Sequence, residues 1–121
     1  MKMRSSPLLA VLCLLGTTHA AASDYKCTGN RVEKAGVTQY TVRRSGMDVA
    51  IDKGGNPRGR AVRRGNGYDI EVNGLRVATL EDGVIYRGAS RWASVADAQR
   101  LSDCPDPIAV TLWVLGQTGG L

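Results

Sequence analysis

Few residues in this 121-residue chain have the types and spacing to do chemistry. They are one histidine, His19, three cysteines, Cys13, Cys27 and Cys104, and two pairs of nearby acids, Asp69 with Glu71 and Glu81 with Asp82. A histidine could serve as general base or metal ligand, and a cysteine as nucleophile, zinc ligand or half of a disulfide. A carboxylate pair could carry general acid and base work. Position in the chain decides among these uses.

His19 and Cys13 both fall in a segment with the build of a secretory signal. Lys2 and Arg4 precede the apolar run "PLLAVLCLLG", and the small residues that follow include Ala20 and Ala22 as an A-x-A cleavage pair. A membrane-spanning helix would need about twenty apolar residues, and this run has about half that. Removal is expected after Ala22, which makes residues 1–22 a signal peptide and residues 23–121 a single domain bound for the periplasm or secretion. Leu12 stands before Cys13 where a lipid anchor requires a small residue, so no anchor is expected there. The exported chain would then contain no histidine and no transmembrane segment.

Loss of His19 takes away the commonest general base and the commonest metal ligand together. Cys27 and Cys104 remain as an even pair in an oxidising compartment and are expected to form a disulfide. Closing so long a loop stabilises by roughly 4 to 5 kcal/mol in the chain-entropy description. Asp82 is best used to open an Asp-Gly turn, while Asp69 and Glu71 share the solvated face of the strand "YDIEV". "DKGGNPRG" lacks the pattern of a phosphate-cradling loop, and the acids do not follow a calcium-loop spacing. The expectation is a protein with no catalytic residues, no cofactor and no metal.

The elements that would carry any surface are written in turn signals. From Gln39 to Tyr86, "SG" at 45–46, "GGNP" at 54–57, "GNG" at 65–67, "NG" at 73–74 and "DG" at 82–83 separate six short runs of strand composition. Met47, Val49 and Ile51 share one face of their run, as do Tyr68, Ile70 and Val72 of theirs. The fold class expected is mainly β: a small antiparallel meander or barrel, closed by the disulfide and covered by one or two short C-terminal helices. Ser94 and Asp97 mark the start of a helix over 94–101, with Val95, Ala98 and Leu101 on one side.

Residues 107–115, "PIAVTLWVL", are punctuated as a helix by Asp106, Pro107 and Gly116, yet are β-branched enough for a strand. The segment either closes the core or, through Ile108, Leu112, Trp113 and Leu115, docks onto an assembly.

Charge is the remaining positive feature. Loss of Lys2 and Arg4 leaves a net charge of about +3. Arg43, Arg44, Lys53, Arg58, Arg60, Arg63 and Arg64 face only Asp48 and Asp52 within the same stretch, which polarises the chain. Arg58, Arg60 and Arg64 have one strand parity, while Arg43 and Arg63 have the opposite parity within their own runs. The guanidinium fork suits carboxylates and phosphates, whereas few aromatics interleave with the basic residues, which disfavours nucleic acid. The same arginines could instead guard sheet edges.

Tyr25 and Cys27 just after the signal, with Cys104 near the far end of about a hundred β-rich residues, resemble the layout of periplasmic inhibitors of c-type lysozyme, which are small disulfide-closed barrels. The resemblance implies inhibition of a secreted hydrolase. The chain departs from that layout by running seventeen residues past Cys104, by its helix at 94–101, and by a basic charge where acidic surface would steer towards a basic lysozyme. Three functions follow as expectations. The first is a non-catalytic binding module whose Arg43, Arg44, Arg58, Arg60, Arg63 and Arg64 meet an anionic envelope component or acidic protein. The second is an inhibitor or immunity-type protein, and the third a structural subunit of an envelope assembly.

Overall fold

The structure, a computed structural model, describes residues 23–121, and the expected signal peptide lies outside the described residues. Nine strands follow one another as hairpins: β1 (Tyr25–Thr28), β2 (Arg31–Lys34), β3 (Val37–Ser45), β4 (Asp48–Lys53), β5 (Asn56–Arg64), β6 (Gly67–Val72), β7 (Leu75–Glu81), β8 (Val84–Arg87) and β9 (Ser90–Ser94). Helix α1 (Val95–Leu101) then leads to a two-residue strand, β10 (Ser102–Asp103), parallel to β1, and the chain ends with helix α2 (Asp106–Gln117). The sheet order is β10-β1-β2-β3-β4-β5-β6-β7-β8-β9.

Every hairpin is closed by a two-residue turn, because the closing pairs are separated by two positions throughout. Ala35–Gly36, Gly54–Gly55, Asn73–Gly74 and Asp82–Gly83 have positive φ at both residues, as type I′ turns require. Gly29, Gly46, Gly65 and Gly88 have it at the first residue only, as in type II′. The meander therefore has two more strands at its front and one more at its back than the six runs between Gln39 and Tyr86, plus β10.

Inward-facing residues lie in register across the sheet. Val42, Ile51, Gly59 and Val72 form one row, and Arg63, Tyr68, Leu80, Ile85 and Ala93 another. Between them run Val49, Ala61, Ile70 and Ala78, with the exposed Arg44 paired to Val49 at the end of the row. The small residues Gly59, Ala61 and Ala78 leave room along these rows for α2, which packs on β4, β5, β6, β7, β10 and α1. Ile108, Ala109, Val110, Thr111, Leu112, Val114 and Leu115 are all buried, so this helix is apolar around most of its circumference and is the core the sheet wraps. The one polar member, Thr111, donates its hydroxyl to the Pro107 carbonyl at 2.6 Å and leaves no orphan group.

The segment whose helix or strand character the sequence left open is thus a helix, with two departures from its expected punctuation. Pro105 is the N-cap and makes no side-chain cap, while Asp106 is already helical and accepts a hydrogen bond from Gln99. Gly116 does not stop the helix. Its missing side chain admits Leu121, whose Cδ1 would stand 2.9 Å from a Cβ at 116. α1 matches its signal closely: Ser94 caps it and, with Asp97, forms a reciprocal capping box. Cys27 and Cys104 are joined by the disulfide, which ties β1 to the link between β10 and α2 across 77 positions of sequence.

Candidate binding surface

The register decides what the arginines face. On the outer side of the sheet Arg43 donates to both oxygens of Asp52 at 3.1 and 3.2 Å. Arg60 lies 3.5 Å from Asp48 and 3.9 Å from Glu71, and Arg64 bonds Asp69 at 2.9 Å, with Arg76 3.9 Å from the same carboxylate. Hydrogen bonds from Arg43 to Asp52 and from Arg64 to Asp69, with the attraction of the same carboxylates, raise both guanidinium pKa values above the ordinary range. The four cations Arg43, Arg60, Arg64 and Arg76 are matched by the four anions Asp48, Asp52, Asp69 and Glu71. This face is a mixed-charge ladder.

The parity that placed Arg58 beside Arg60 and Arg64 fails at a bulge. Ile51 pairs with Gly59 but Asp52 pairs with Pro57, which leaves Arg58 as the extra residue. Arg58 donates instead to the Gly120 carbonyl at 3.0 Å, beyond the C-terminal end of α2. Arg44 and Arg63 have inward parity near the other end of the barrel-like wrap, and Arg63 lies over the Tyr68 ring at 5.3 Å while donating to the Gly65 carbonyl. Asp69 and Glu71, the acids expected to share a strand face, are both engaged by arginines. Among the described residues no group of three or more His, Cys, Asp or Glu converges as a metal site.

A meander has two ends, and they differ. One end carries the closing pairs Thr28 with Arg31, Ser45 with Asp48, Arg64 with Gly67 and Glu81 with Val84, together with Asp82 in its last turn. Charges of both signs meet there. The other end carries Lys34 with Val37, Lys53 with Asn56, Val72 with Leu75 and Arg87 with Ser90. Every charge in those four pairs is positive.

The cations of this second end are built in one way. Lys34 Nζ lies 5.4 Å over the Tyr25 ring, Lys53 Nζ 5.4 Å over Tyr40, and the Arg87 guanidinium 4.7 Å over Trp92. In each case the charged group itself lies over the face of an aromatic ring, on a side chain long and exposed enough to swing outward. Tyr25 and Tyr40 are themselves 6.3 Å apart. Burial, followed by the neighbouring Tyr25, raises the Tyr40 pKa, and the positive charge of Arg58 partly opposes them.

Among the described residues no carboxylate lies within 4.0 Å of Lys34, Lys53, Arg58 or Arg87. The acids nearest this end along the strands are already engaged, Glu33 by Arg31, Asp52 by Arg43 and Glu71 by Arg60, and the exposed Asp24 precedes β1. Val37 and Leu75 project beside these cations with 60% and 71% of their surface exposed. A depression of about 450 Å³ bordered by Arg58, Arg60, Glu71 and Asn73 opens next to them.

Ile108, Leu112 and Leu115 are enclosed in the core and present nothing to an assembly, which corrects the docking expectation for those three residues. Trp113 alone of that set is partly exposed, and it meets Trp92 edge to face at 5.0 Å. Lys34, Lys53 and Arg87 were not singled out from the sequence as a group. The signal for them is a basic residue directly before the turns "AG", "GG" and "GA", at alternate hairpins.

No family model matches the chain, and neither the curated proteins nor the solved structures contain a match to it. The likeness to lysozyme inhibitors stays one of layout, carried by Tyr25, Cys27 and Cys104.

Proposed function

We propose that the protein is a small exported binding module, without catalytic activity, that meets an anionic partner through the basic end of its meander. One observation carries the reading: the outer-face arginines are matched by carboxylates, whereas the closing pairs of one end carry only the cations Lys34, Lys53 and Arg87, none of them with a carboxylate within ion-pair distance among the described residues. A charge already paired must exchange one partner for another on binding, and gains little. A cation without a partner keeps its full attraction for an incoming anion. The disulfide fits an oxidising compartment outside the cytoplasm, where envelope components and acidic secreted proteins are encountered.

The experiment is retention of the oxidised protein on immobilised polyglutamate, read as the salt concentration needed for elution. Lys34→Gln, Lys53→Gln and Arg87→Gln together should lower that concentration sharply. Arg43→Gln, Arg60→Gln and Arg64→Gln remove as much charge from the outer face and should lower it far less. Equal losses from the two triple variants would show that only net charge matters, and the assignment of the end would fall.

A further inference from the structure

The basic end carries more than charge. Val37 opens β3 and Leu75 opens β7, each directly after its turn, and they are the exposed aliphatic members of closing pairs at this end. They stand four strands apart, roughly 15 to 20 Å along the sheet at about 4.8 Å per strand. The tips around them are nearly bare, since the turns read Ala35–Gly36, Gly54–Gly55, Asn73–Gly74 and Gly88–Ala89. Two separated apolar tips on bare turns do not form one patch that a groove or a single peptide strand could cover. They do lie at the same end of the meander, among cations whose charged groups rest over aromatic rings.

From this arrangement we infer that the basic end docks onto an anionic phospholipid surface, with Val37 and Leu75 entering the headgroup boundary and Lys34, Lys53 and Arg87 contacting lipid phosphates. A bilayer face is a plane that reaches both tips at once, which a discrete acidic protein would do only with a surface made for it. The cations complement the charge of anionic lipid, and their long stems can extend from the rings to the headgroups without moving the backbone. No helix among the described residues is long and apolar enough to cross a membrane, and docking of this kind needs none. The inference rests on the anionic-partner reading and narrows it to an anionic lipid surface.

The test is co-sedimentation of the oxidised protein with vesicles of phosphatidylglycerol and phosphatidylcholine, beside vesicles of phosphatidylcholine alone and soluble polyglutamate. Binding to the anionic vesicles is expected, with partitioning lowered about a hundredfold by the Lys34→Gln, Lys53→Gln, Arg87→Gln triple variant at low salt. Val37→Ser with Leu75→Ser should lower vesicle binding about tenfold and leave polyglutamate binding intact. Both residues are exposed, so this variant should fold, and its near-ultraviolet circular dichroism reports whether it has. Polyglutamate binding with no vesicle binding, or vesicle binding indifferent to Val37→Ser and Leu75→Ser, overturns lipid docking while the broader reading stands. Binding to neither anion overturns both.

Discussion

Gly59 of β5 lies so close beneath Thr111 of α2 that a Cβ at position 59 would stand 2.7 Å from the Thr111 methyl. The contact fixes how deeply the helix sits in the sheet. Thr111 cannot turn aside cheaply, because its hydroxyl is held by the Pro107 carbonyl at 2.6 Å. Gly59→Ala should therefore destabilise the fold by about 1–3 kcal/mol through overpacking. Thr111→Ser removes the opposing methyl and keeps the hydroxyl, so the double variant should recover a large part of that loss. Urea titration of the four proteins closes the cycle, and strict additivity would mean that α2 sits elsewhere.

The Cys27–Cys104 bridge joins the first strand to the segment that delivers α2. With 77 positions between its ends, loop entropy gives it about 4–5 kcal/mol. Replacing both cysteines with alanine should lower the unfolding free energy by that order, measured as the midpoint and slope of a denaturant transition. A loss under about 1 kcal/mol would show that the unfolded chain is already constrained without it.

Ser94 and Asp97 cap α1 reciprocally, the hydroxyl accepting from the Asp97 N–H and the carboxylate from the Ser94 N–H. Ser94→Ala should cost about 1 kcal/mol. Hydrogen bonds from the Ser94 backbone and hydroxyl hold the Asp97 pKa below its ordinary value; desolvation opposes them, and the weaker attraction of Arg100 and Arg91 adds to the lowering. A carboxylate depressed in the folded state stabilises above its unfolded pKa, near 4, and that contribution is lost as pH falls through the folded value. The stability gap between the natural protein and Asp97→Asn should accordingly narrow on acidification from pH 7 to 3, and a constant gap would mean that the cap does not depend on the charge.

Much of this fold was legible because hairpin turns have strict chemistry. Gly54–Gly55, Asn73–Gly74 and Asp82–Gly83 announce positive φ, and β6 alternates as expected, with Ile70 buried while Asp69 and Glu71 meet the outer arginines, whereas Met47, expected on one face with Val49 and Ile51, stands in the turn before β4 and is 64% exposed. The front of the meander was hidden because Ala35, a residue that carries no turn signal, takes φ 54°, and because β2 buries only Val32. Helix α1 could be read from two residues, since a capping box is local. The candidate surface was only half legible. Strand parity separates faces, but a single bulge opposite Asp52 moved Arg58 away from Arg60, and no local pattern pairs Arg43 with Asp52 across a turn. The difference between the two ends depends on counting every hairpin, including those written without Asn-Gly or Asp-Gly.

The basic end can be mapped directly by titrating soluble polyglutamate into the isotopically labelled, oxidised protein and following backbone amide shifts. The expected result is that residues 34–37, 53–56 and 87–90 move together in a salt-sensitive way, while the amides of Arg43, Arg60 and Arg64 and of the opposite turns stay in place. Shifts centred on Arg43, Arg60 and Arg64, with the 34–37, 53–56 and 87–90 hairpins silent, would contradict the division of charge between the two ends and return the contact to the outer face.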